Sequence, residues 1–503
     1  MSKPIGICIG EPSTREVEFV SSKAIQLGDY VELEYEGYKV LGFVREIRRI
    51  NKTLAEDLEP EDIEHLKRIT GKNSFFRGKI SILGDVNKRM FVPRVPPEPG
   101  TDIFLASKET LQKVFGYDDG KKIHLGHLLT RDDVEVFIEI DKIVSRHLAI
   151  LAITGGGKSN TVSVILEGLL EKDGTILVFD MHGEYVDFGD KSKVRKIDLK
   201  LNPSRLSYQE FRLFANVDDS SYIQDRYLRR AFRTVVEEIR NGEISAGDFW
   251  NRLEAELKLY RDDEENKDDK KSIVGVLNKV EDMKEFYSTL FDPLTIPIVE
   301  QIEFGKLNVI DLSQVDEKIA DIIVSHVLRN VLEKRKEYVL TEDRGLEFPL
   351  FMVLEEAHIL ASATMNTKSR YWISRIAREG RKFGLGLCLV TQRPKALDSN
   401  ALSQANNMII LRLVEPGDQR HVQQASEALS ADLVEQLPSL NTGEALVMGS
   451  MIPVPALVKI KLAKSKKGGN DISAIEKWQE YKERLLRDKK RHNDFLDLGD
   501  TDF

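Results

Sequence analysis

Three short polar clusters, each at the end of an apolar run, hold the residue types that phosphate chemistry needs. The first is Leu148-Ala-Ile-Leu-Ala-Ile-Thr-Gly-Gly-Gly-Lys-Ser159, an apolar segment running into glycines, a lysine and a hydroxyl. A phosphate cradle needs backbone N–H groups converging on anionic oxygens, glycines that let the chain approach, and a helix N-terminus whose dipole favours negative charge. Gly155, Gly156 and Gly157 with Lys158 and Ser159 supply all three, and Asn160 follows where a helix would begin. The pattern G-x-x-x-x-G-K-[ST] fits Ala152 to Ser159 with one departure, alanine at its first position. In such a loop the lysine reaches the β- and γ-phosphates of ATP and the hydroxyl ligates Mg2+. A glycine-rich turn holding no ligand is the plainer alternative, and the lysine and hydroxyl in register weigh against it.

Hydrolysis also needs a carboxylate near the metal and a group that orients water. Pro349-Leu-Phe-Met-Val-Leu-Glu-Glu356 offers both at the tip of a buried strand, with Glu355 as the metal-side acid and Glu356 as the base. Acidic capping of a strand-to-helix junction is the alternative. Ile176-Leu-Val-Phe-Asp180 opens into Asp-Met-His-Gly-Glu-Tyr185, where Asp180 and Glu184 could face the same site; His182 lacks metal-ligand spacing and reads as structural. Gln392, in Thr391-Gln-Arg-Pro394, is placed to sense the γ-phosphate, or is only a polar turn before proline. Between these runs, Lys368 to Gly384 holds six basic residues against one acid. Arg375, Arg378 and Lys382 recur at helical spacing, whereas Arg381 follows Gly380, where the helix ends. Basic residues there pair with the helix dipole; an arginine at a subunit boundary would instead stabilise the γ-phosphate of the adjoining subunit.

The elements that must position these groups are strands. Leu148 to Thr154, Ile176 to Asp180, Asn308 to Leu312, Pro349 to Leu354, Leu385 to Thr391 and Met408 to Leu413 are apolar runs separated by helical stretches. That alternation predicts an α/β fold whose mainly parallel sheet is covered on both faces. Residues 204–300 interrupt it with helical periodicity and the charge run Arg261 to Lys271, read as a helical insertion with a solvated loop. Ahead of the core, Glu16 to Val20, Tyr30 to Leu33, Lys39 to Arg45 and Phe76 to Leu83 are β-like runs with Gly28, Gly37, Gly78 and Gly84 at the turns, which predicts a small antiparallel β-barrel. Four prolines within Pro93 to Pro99 mark its end. The expected division is a barrel at 1–100, a core at 101–203 and 301–463, a helical insertion at 204–300, and at 464–503 a linker (Lys464 to Asn470) followed by a charged helix from about Ile472 to Lys490. That helix either docks on a neighbour through Ile475, Trp478 and Leu485 or stays solvated.

With 503 residues the chain has room for several domains. No apolar run approaches the ~20 residues of a spanning helix, and no secretory leader is present, so a cytoplasmic location is expected. Two cysteines, Cys8 and Cys388, exclude a disulfide framework and a four-ligand zinc site. The net charge of −9 means that a polyanionic partner must meet a locally basic surface.

Together these residues resemble the HerA/FtsK superfamily of ring-forming DNA-pumping ATPases, and within it the archaeal HerA helicases. The resemblance covers nearly the whole chain and is carried by the phosphate loop, Asp-x-His-Gly-Glu-Tyr at 180–185, Glu355-Glu356, Gly-Arg-Lys-Phe-Gly running on to Thr-Gln-Arg-Pro, and Leu437-Pro-x-Leu-x-x-Gly-Glu-Ala445. It implies a RecA-like P-loop core behind a barrel of the HAS type, and a homohexamer that moves along double-stranded DNA as ATP is hydrolysed at subunit boundaries. It implies partnership with the NurA nuclease in DNA end resection for double-strand break repair, alongside Mre11 and Rad50. On the matching motifs, Lys158, Ser159, Glu355, Glu356 and Gln392 form the cis site, Arg381 is the trans arginine finger, and Arg146 is a second candidate for the neighbour's nucleotide. The terminal helix would brace an adjacent subunit, and the barrel would dock the nuclease.

A ring also reconciles the acidic chain with DNA, because only channel loops need be basic. Asn366-Thr-Lys-Ser-Arg370 and the loop from Lys395 to Gln404 are the candidates, through Lys368, Arg370 and Lys395, with solvated surface loops as the alternative. Such contacts to phosphate carry no sequence information. The rival readings are a conjugation or secretion coupling ATPase of the same superfamily, a protein-unfolding ring, whose channel would carry aromatic grip loops, and a nucleotide-dependent scaffold for a nuclease, which would not need Glu356.

Overall fold

The computed structural model describes residues 3–51, 74–218, 220–426, 429–465 and 474–497. Six antiparallel strands close the barrel: β1 (Gly6–Ile9), β2 (Glu16–Ser21), β3 (Tyr30–Tyr35), β4 (Tyr38–Asn51), β5 (Ser74–Asp85) and β6 (Asp102–Leu105), in the order β1-β2-β5-β4-β3-β6. Alternate residues such as Val17, Phe19, Val31, Leu33 and Ile80 point inward and fill it. Two expectations change here. The proline-rich segment does not end the barrel, because β6 follows it and closes the ring between β1 and β3. Gly78 is not a turn residue but sits inside β5, where a Cβ would lie 2.1 Å from Glu46 O, so glycine permits the close strand approach beside a bulge.

The core is an eleven-stranded sheet. Its strands are β7 (Lys122–Leu128), β8 (Arg131–Glu139), β9 (Leu148–Leu151), β10 (Ile176–Asp180), β11 (Val194–Lys196), β12 (Leu307–Asp311), β13 (Leu350–Leu354), β14 (Leu385–Thr391), β15 (Asn407–Ile410), β16 (Glu444–Gly449) and β17 (Ala456–Ile460). The order is β11-β12-β10-β13-β14-β9-β15-β16-β17-β7-β8, parallel as far as β15 and antiparallel beyond it. Strands β9, β10, β13 and β14 are buried throughout, which explains their unbroken apolar runs. The fold is therefore a RecA-like P-loop core with an N-terminal barrel and a helical insertion. Tyr30, Leu41 and Phe43 of the barrel join the core's hydrophobic cluster, and Arg45 pairs with Asp432 at 2.7 Å, so the barrel is packed on the core.

The insertion is built on helices Tyr222–Asn241, Phe249–Asp262 and Lys270–Phe286, held by edge-to-face and tilted contacts among Phe211, Phe232, Phe249 and Trp250. Its charge run is not an open loop: Glu264–Asp269 winds into 3-10 turns, with Asp263 accepting from Glu265 N at 3.0 Å. At the C-terminus a helix runs Ala474–Asp497, with Ile475 and Trp478 exposed. Most of the expected linker, 466–470, and the expected helix start at Ile472 lie outside the described residues. Among the described residues no helix is long and apolar enough to cross a membrane.

Candidate nucleotide site

Strand order brings the three polar clusters together. Strand β14 lies between β9 and β13, so their C-terminal ends are neighbours and the phosphate loop faces Glu355-Glu356 across about 10 Å, two strand spacings. The loop turns through Gly155 at φ 76° and Gly157 at φ 101° and opens the helix Lys158–Leu170, whose first N–H groups have no partner within the helix. A Cβ on Gly157 would lie 3.0 Å from Gly443 N and 3.3 Å from Leu411 Cδ2. The segment after β15 also braces the loop: Gly443 N donates to Gly156 O at 3.1 Å and Thr442 Oγ1 to Gly155 O at 3.3 Å.

Lys158 Nζ donates to Glu356 Oε1 at 2.7 Å and lies 3.6 Å from Glu355 Oε2. Glu356 is 3% exposed and sits in left-handed backbone, φ 45°, at the tip of β13. Such a conformation in a residue other than glycine costs about 1–3 kcal/mol and is kept where the surroundings enforce it. Burial raises its carboxyl, but His358 Nδ1, 3.3 Å from Oε2, and Lys158 outweigh burial and hold it down at about 2. Glu356 is thus ionised at neutral pH, with its Oε2 buried beside His358 Nδ1. Glu355, equally buried, accepts from the Tyr185 hydroxyl. Burial, and the Glu355 charge beside it, push Tyr185 far above its ordinary pKa, so it remains a donor. Gln392 sits where β14 ends, and Thr154 Oγ1 of the phosphate loop donates to its Oε1 at 2.8 Å.

Two of the expected site residues have other work. Asp180 accepts from His182 N at 3.2 Å, Gly183 N at 2.9 Å and Tyr185 N at 2.9 Å. Its carboxylate therefore shapes the turn that presents Tyr185 to Glu355 and acts through it. Asn160 turns away from the loop: its Nδ2 donates to Lys461 O at 2.8 Å and its Oδ1 accepts from Ala463 N at 2.9 Å, pinning the chain after β17. Ser159 is exposed at the helix start.

Arg381 and Arg146 lie at the opposite, N-terminal ends of the central strands. Arg381 precedes β14, whose seven residues put about 20 Å between it and Gln392. Arg146 precedes β9 in the same way. His147 ties the two segments together, with Nε2 2.9 Å from Ala377 O and Nδ1 accepting from Leu387 N at 3.1 Å; burial lowers its pKa, which suits that neutral role. Arg381 is exposed and makes no ion pair among the described residues.

The family model "Helicase HerA, central domain" matches residues 123–331, and the HAS barrel domain matches residues 5–88. A DNA double-strand break repair helicase HerA of Saccharolobus solfataricus is 39% identical over 504 residues, covering 98% of this chain and 99% of that protein. The chain belongs to the HerA helicase family. A probable helicase of Methanocaldococcus jannaschii is 41% identical, covering 99% of this chain and 98% of its own. Among solved structures, VirB4 of Thermoanaerobacter pseudethanolicus shares the fold at a TM-score of 0.52 and 17% identity, over 69% of this chain and 98% of that one.

In this HerA-family chain the candidate channel residues differ among themselves. Lys368 is exposed, and its backbone N–H, with that of Ser369, is held by Asp321 at 2.7 and 2.9 Å. Arg370 props its own loop, donating to Ser362 O at 3.2 Å and Asn366 Oδ1 at 3.4 Å, which leaves it half-buried rather than presented. Lys395 is exposed, with Glu415 3.9 Å away. Tyr185, His358 and the Thr442-Gly443 brace are site residues that residue spacing did not single out. His358 Nδ1 also lies 3.0 Å from Thr391 Oγ1, next to Gln392, and so links Glu356 to the end of β14. The signal for it was its position two residues after Glu356.

Proposed function

We propose that this chain is an ATP-driven, ring-forming helicase and translocase on double-stranded DNA, hexameric, and that it works with the NurA nuclease, alongside Mre11 and Rad50, in end resection. The observation that carries this reading is the division of the nucleotide machinery. Lys158, Glu356 and Gln392 gather at the C-terminal ends of the central strands, and Arg381 and Arg146 stand at the N-terminal ends, Arg381 about 20 Å from Gln392. An arginine so placed cannot reach its own phosphates and is presented to those of another subunit.

Within one subunit, Gly155 to Ser159 cradle the phosphates of ATP with backbone N–H groups. Lys158, which serves both glutamates here, is the cation drawn to the terminal phosphates. With Lys158 so engaged, Glu356 keeps His358 as the orienting partner of Oε2 and offers Oε1, the oxygen Lys158 releases, as the acceptor for the proton of attacking water. Gln392 is held to the loop through Thr154, which supports its role in sensing the terminal phosphate. The donor set fits Mg2+, since a hydroxyl and a carboxylate are hard oxygen ligands; among the described residues no cluster of three acidic, histidine or cysteine side chains would hold a metal alone. Ser159 and Glu355 would hold Mg2+ brought by the nucleotide, and the ion would offset charge on the phosphates. Lys395, past the strand end that carries the sensor, is the DNA-facing cation of the channel; Lys368 instead lines the cleft under the helical insertion.

The test is ATP hydrolysis by wild-type protein with linear duplex, with single strand and without DNA. A rate raised at least severalfold by linear duplex is expected; equal rates in all three would remove DNA from the function.

A further inference from the structure

Away from the nucleotide site, the helical insertion and the core enclose an open cleft of about 700 Å³. Its walls come from the insertion (Arg229 and Arg233), from the helix Glu317–Thr341 (Arg329) and from the helix Ser369–Glu379 with its lead-in (Lys368, Tyr371 and Trp372). Arg229 is paired with Asp225, and Arg329 donates to Glu210 at 3.1 Å while its Nε has no hydrogen-bond acceptor. Arg233 and Lys368 are exposed and carry no ion pair among the described residues. In a chain of net charge −9, this concave surface holds a positive excess. Tyr371 is 57% exposed, edge-on to Trp372 at 5.1 Å, with Arg375 backing the Trp372 ring at 5.3 Å.

We infer that this cleft binds a short stretch of single-stranded nucleic acid, its phosphates on Arg233 and Lys368 and a base on Tyr371. Cations beside an exposed ring are the combination that single strands use, because every base has a π-face and the backbone tracks positive charge. An acidic peptide would use the cations and leave the ring idle, and a duplex would keep its bases stacked on one another and away from Tyr371. The wall is also joined to the catalytic strand: from Glu356 the chain runs through Ala357–Leu360 and the loop propped by Arg370 into the Tyr371 helix. A strand in the cleft therefore rests on the element that continues from the base. This inference rests on the nucleic-acid half of the proposed function, so the two are measured separately.

The experiment is anisotropy of a labelled oligothymidylate with full-length wild type, Arg233→Glu, Tyr371→Ala and Tyr371→Phe, beside hydrolysis without DNA and with linear duplex. Arg233→Glu and Tyr371→Ala should each lower oligothymidylate affinity about five- to hundredfold, Tyr371→Phe should keep it, and hydrolysis without DNA should be unchanged. Lys258→Glu, the same charge change outside the cleft, should leave binding within twofold. Oligothymidylate affinity unchanged in both Arg233→Glu and Tyr371→Ala overturns the inference, as does competition by polyglutamate at equal charge concentration or a loss equally large for duplex. Absence of duplex stimulation in the wild type counts against the motor reading alone, because the cleft is judged on oligothymidylate binding.

Discussion

Glu356→Gln separates the base from everything else that Glu356 does. Glutamine keeps the side-chain shape and the same left-handed backbone, so the strain at φ 45° is common to both proteins. What changes is charge. A positioned general base contributes about 10²–10⁴-fold, and kcat should fall by that factor. Nucleotide binding should move the other way. Lys158 is held by Glu356 at 2.7 Å, and phosphate must compete for it; removing the competing charge is worth about 1 kcal/mol, an ATP Kd tighter by about fivefold. Stability should fall in a pH-dependent way. The Glu356 carboxyl is held down from 4.5 to about 2, worth at most about 3 kcal/mol and about 1–2 kcal/mol after solvent screening. Because the folded value is depressed, that contribution is complete above 4.5 and is lost as pH falls through about 2. Single-turnover hydrolysis, equilibrium ATP binding and unfolding at pH 7 and pH 3 measure the three effects. Hydrolysis within fivefold of wild type, or ATP binding weakened tenfold, would refute this account of the site.

His358→Ala removes one of the two contacts that hold the Glu356 carboxyl down, so that carboxyl rises from about 2 and the acid limb of the kcat/KM profile moves upward by about one pH unit, with kcat about tenfold lower and KM little changed; an unmoved acid limb would assign His358 to packing alone. Gly157→Ala meets both a strained φ and the Gly443 backbone at 3.0 Å, whereas Gly155→Ala meets only the φ, so ATP affinity measured by equilibrium binding should fall at least about tenfold in the first and less in the second. Asn160→Ala should lower unfolding stability by about 1–3 kcal/mol through its two lost hydrogen bonds while leaving ATP Kd unchanged. A weakened Kd there would return Asn160 to the nucleotide.

The parts of the site that were legible in the residues are those whose chemistry has few alternatives. A lysine and a hydroxyl after glycines, or two carboxylates closing an apolar strand, are costly to place without a function, and the fold brings Lys158 and Glu356 together. The apolar runs were legible because these strands are buried on both faces, so β10 and β14 begin and end where their runs do. The local work of Asp180 and Asn160 was not legible for one physical reason: a short polar side chain near a turn bonds the backbone as readily as it faces a ligand, and only tertiary neighbours show which bonds it makes. Strand order was out of reach of local pattern, since β14 pairs with β9 from more than two hundred residues along the chain and so separates it from β13. The end of the barrel was misread because the prolines of 93–99 break the chain locally, whereas closure by β6 depends on pairing with β1 and β3.

The central claim is that each nucleotide site is completed by a neighbour's arginine, and mixing inactive subunits tests it most directly. Arg381→Ala alone should cost about 10³–10⁵ in kcat and Lys158→Ala should abolish hydrolysis. In rings formed from equal amounts of the two, about a quarter of the boundaries pair an intact Lys158 with an intact Arg381 from the next subunit. Duplex-stimulated hydrolysis recovering toward that fraction is the predicted result. Mixed rings, shown by co-purification of differently tagged subunits, that hydrolyse no faster than either variant alone would contradict it.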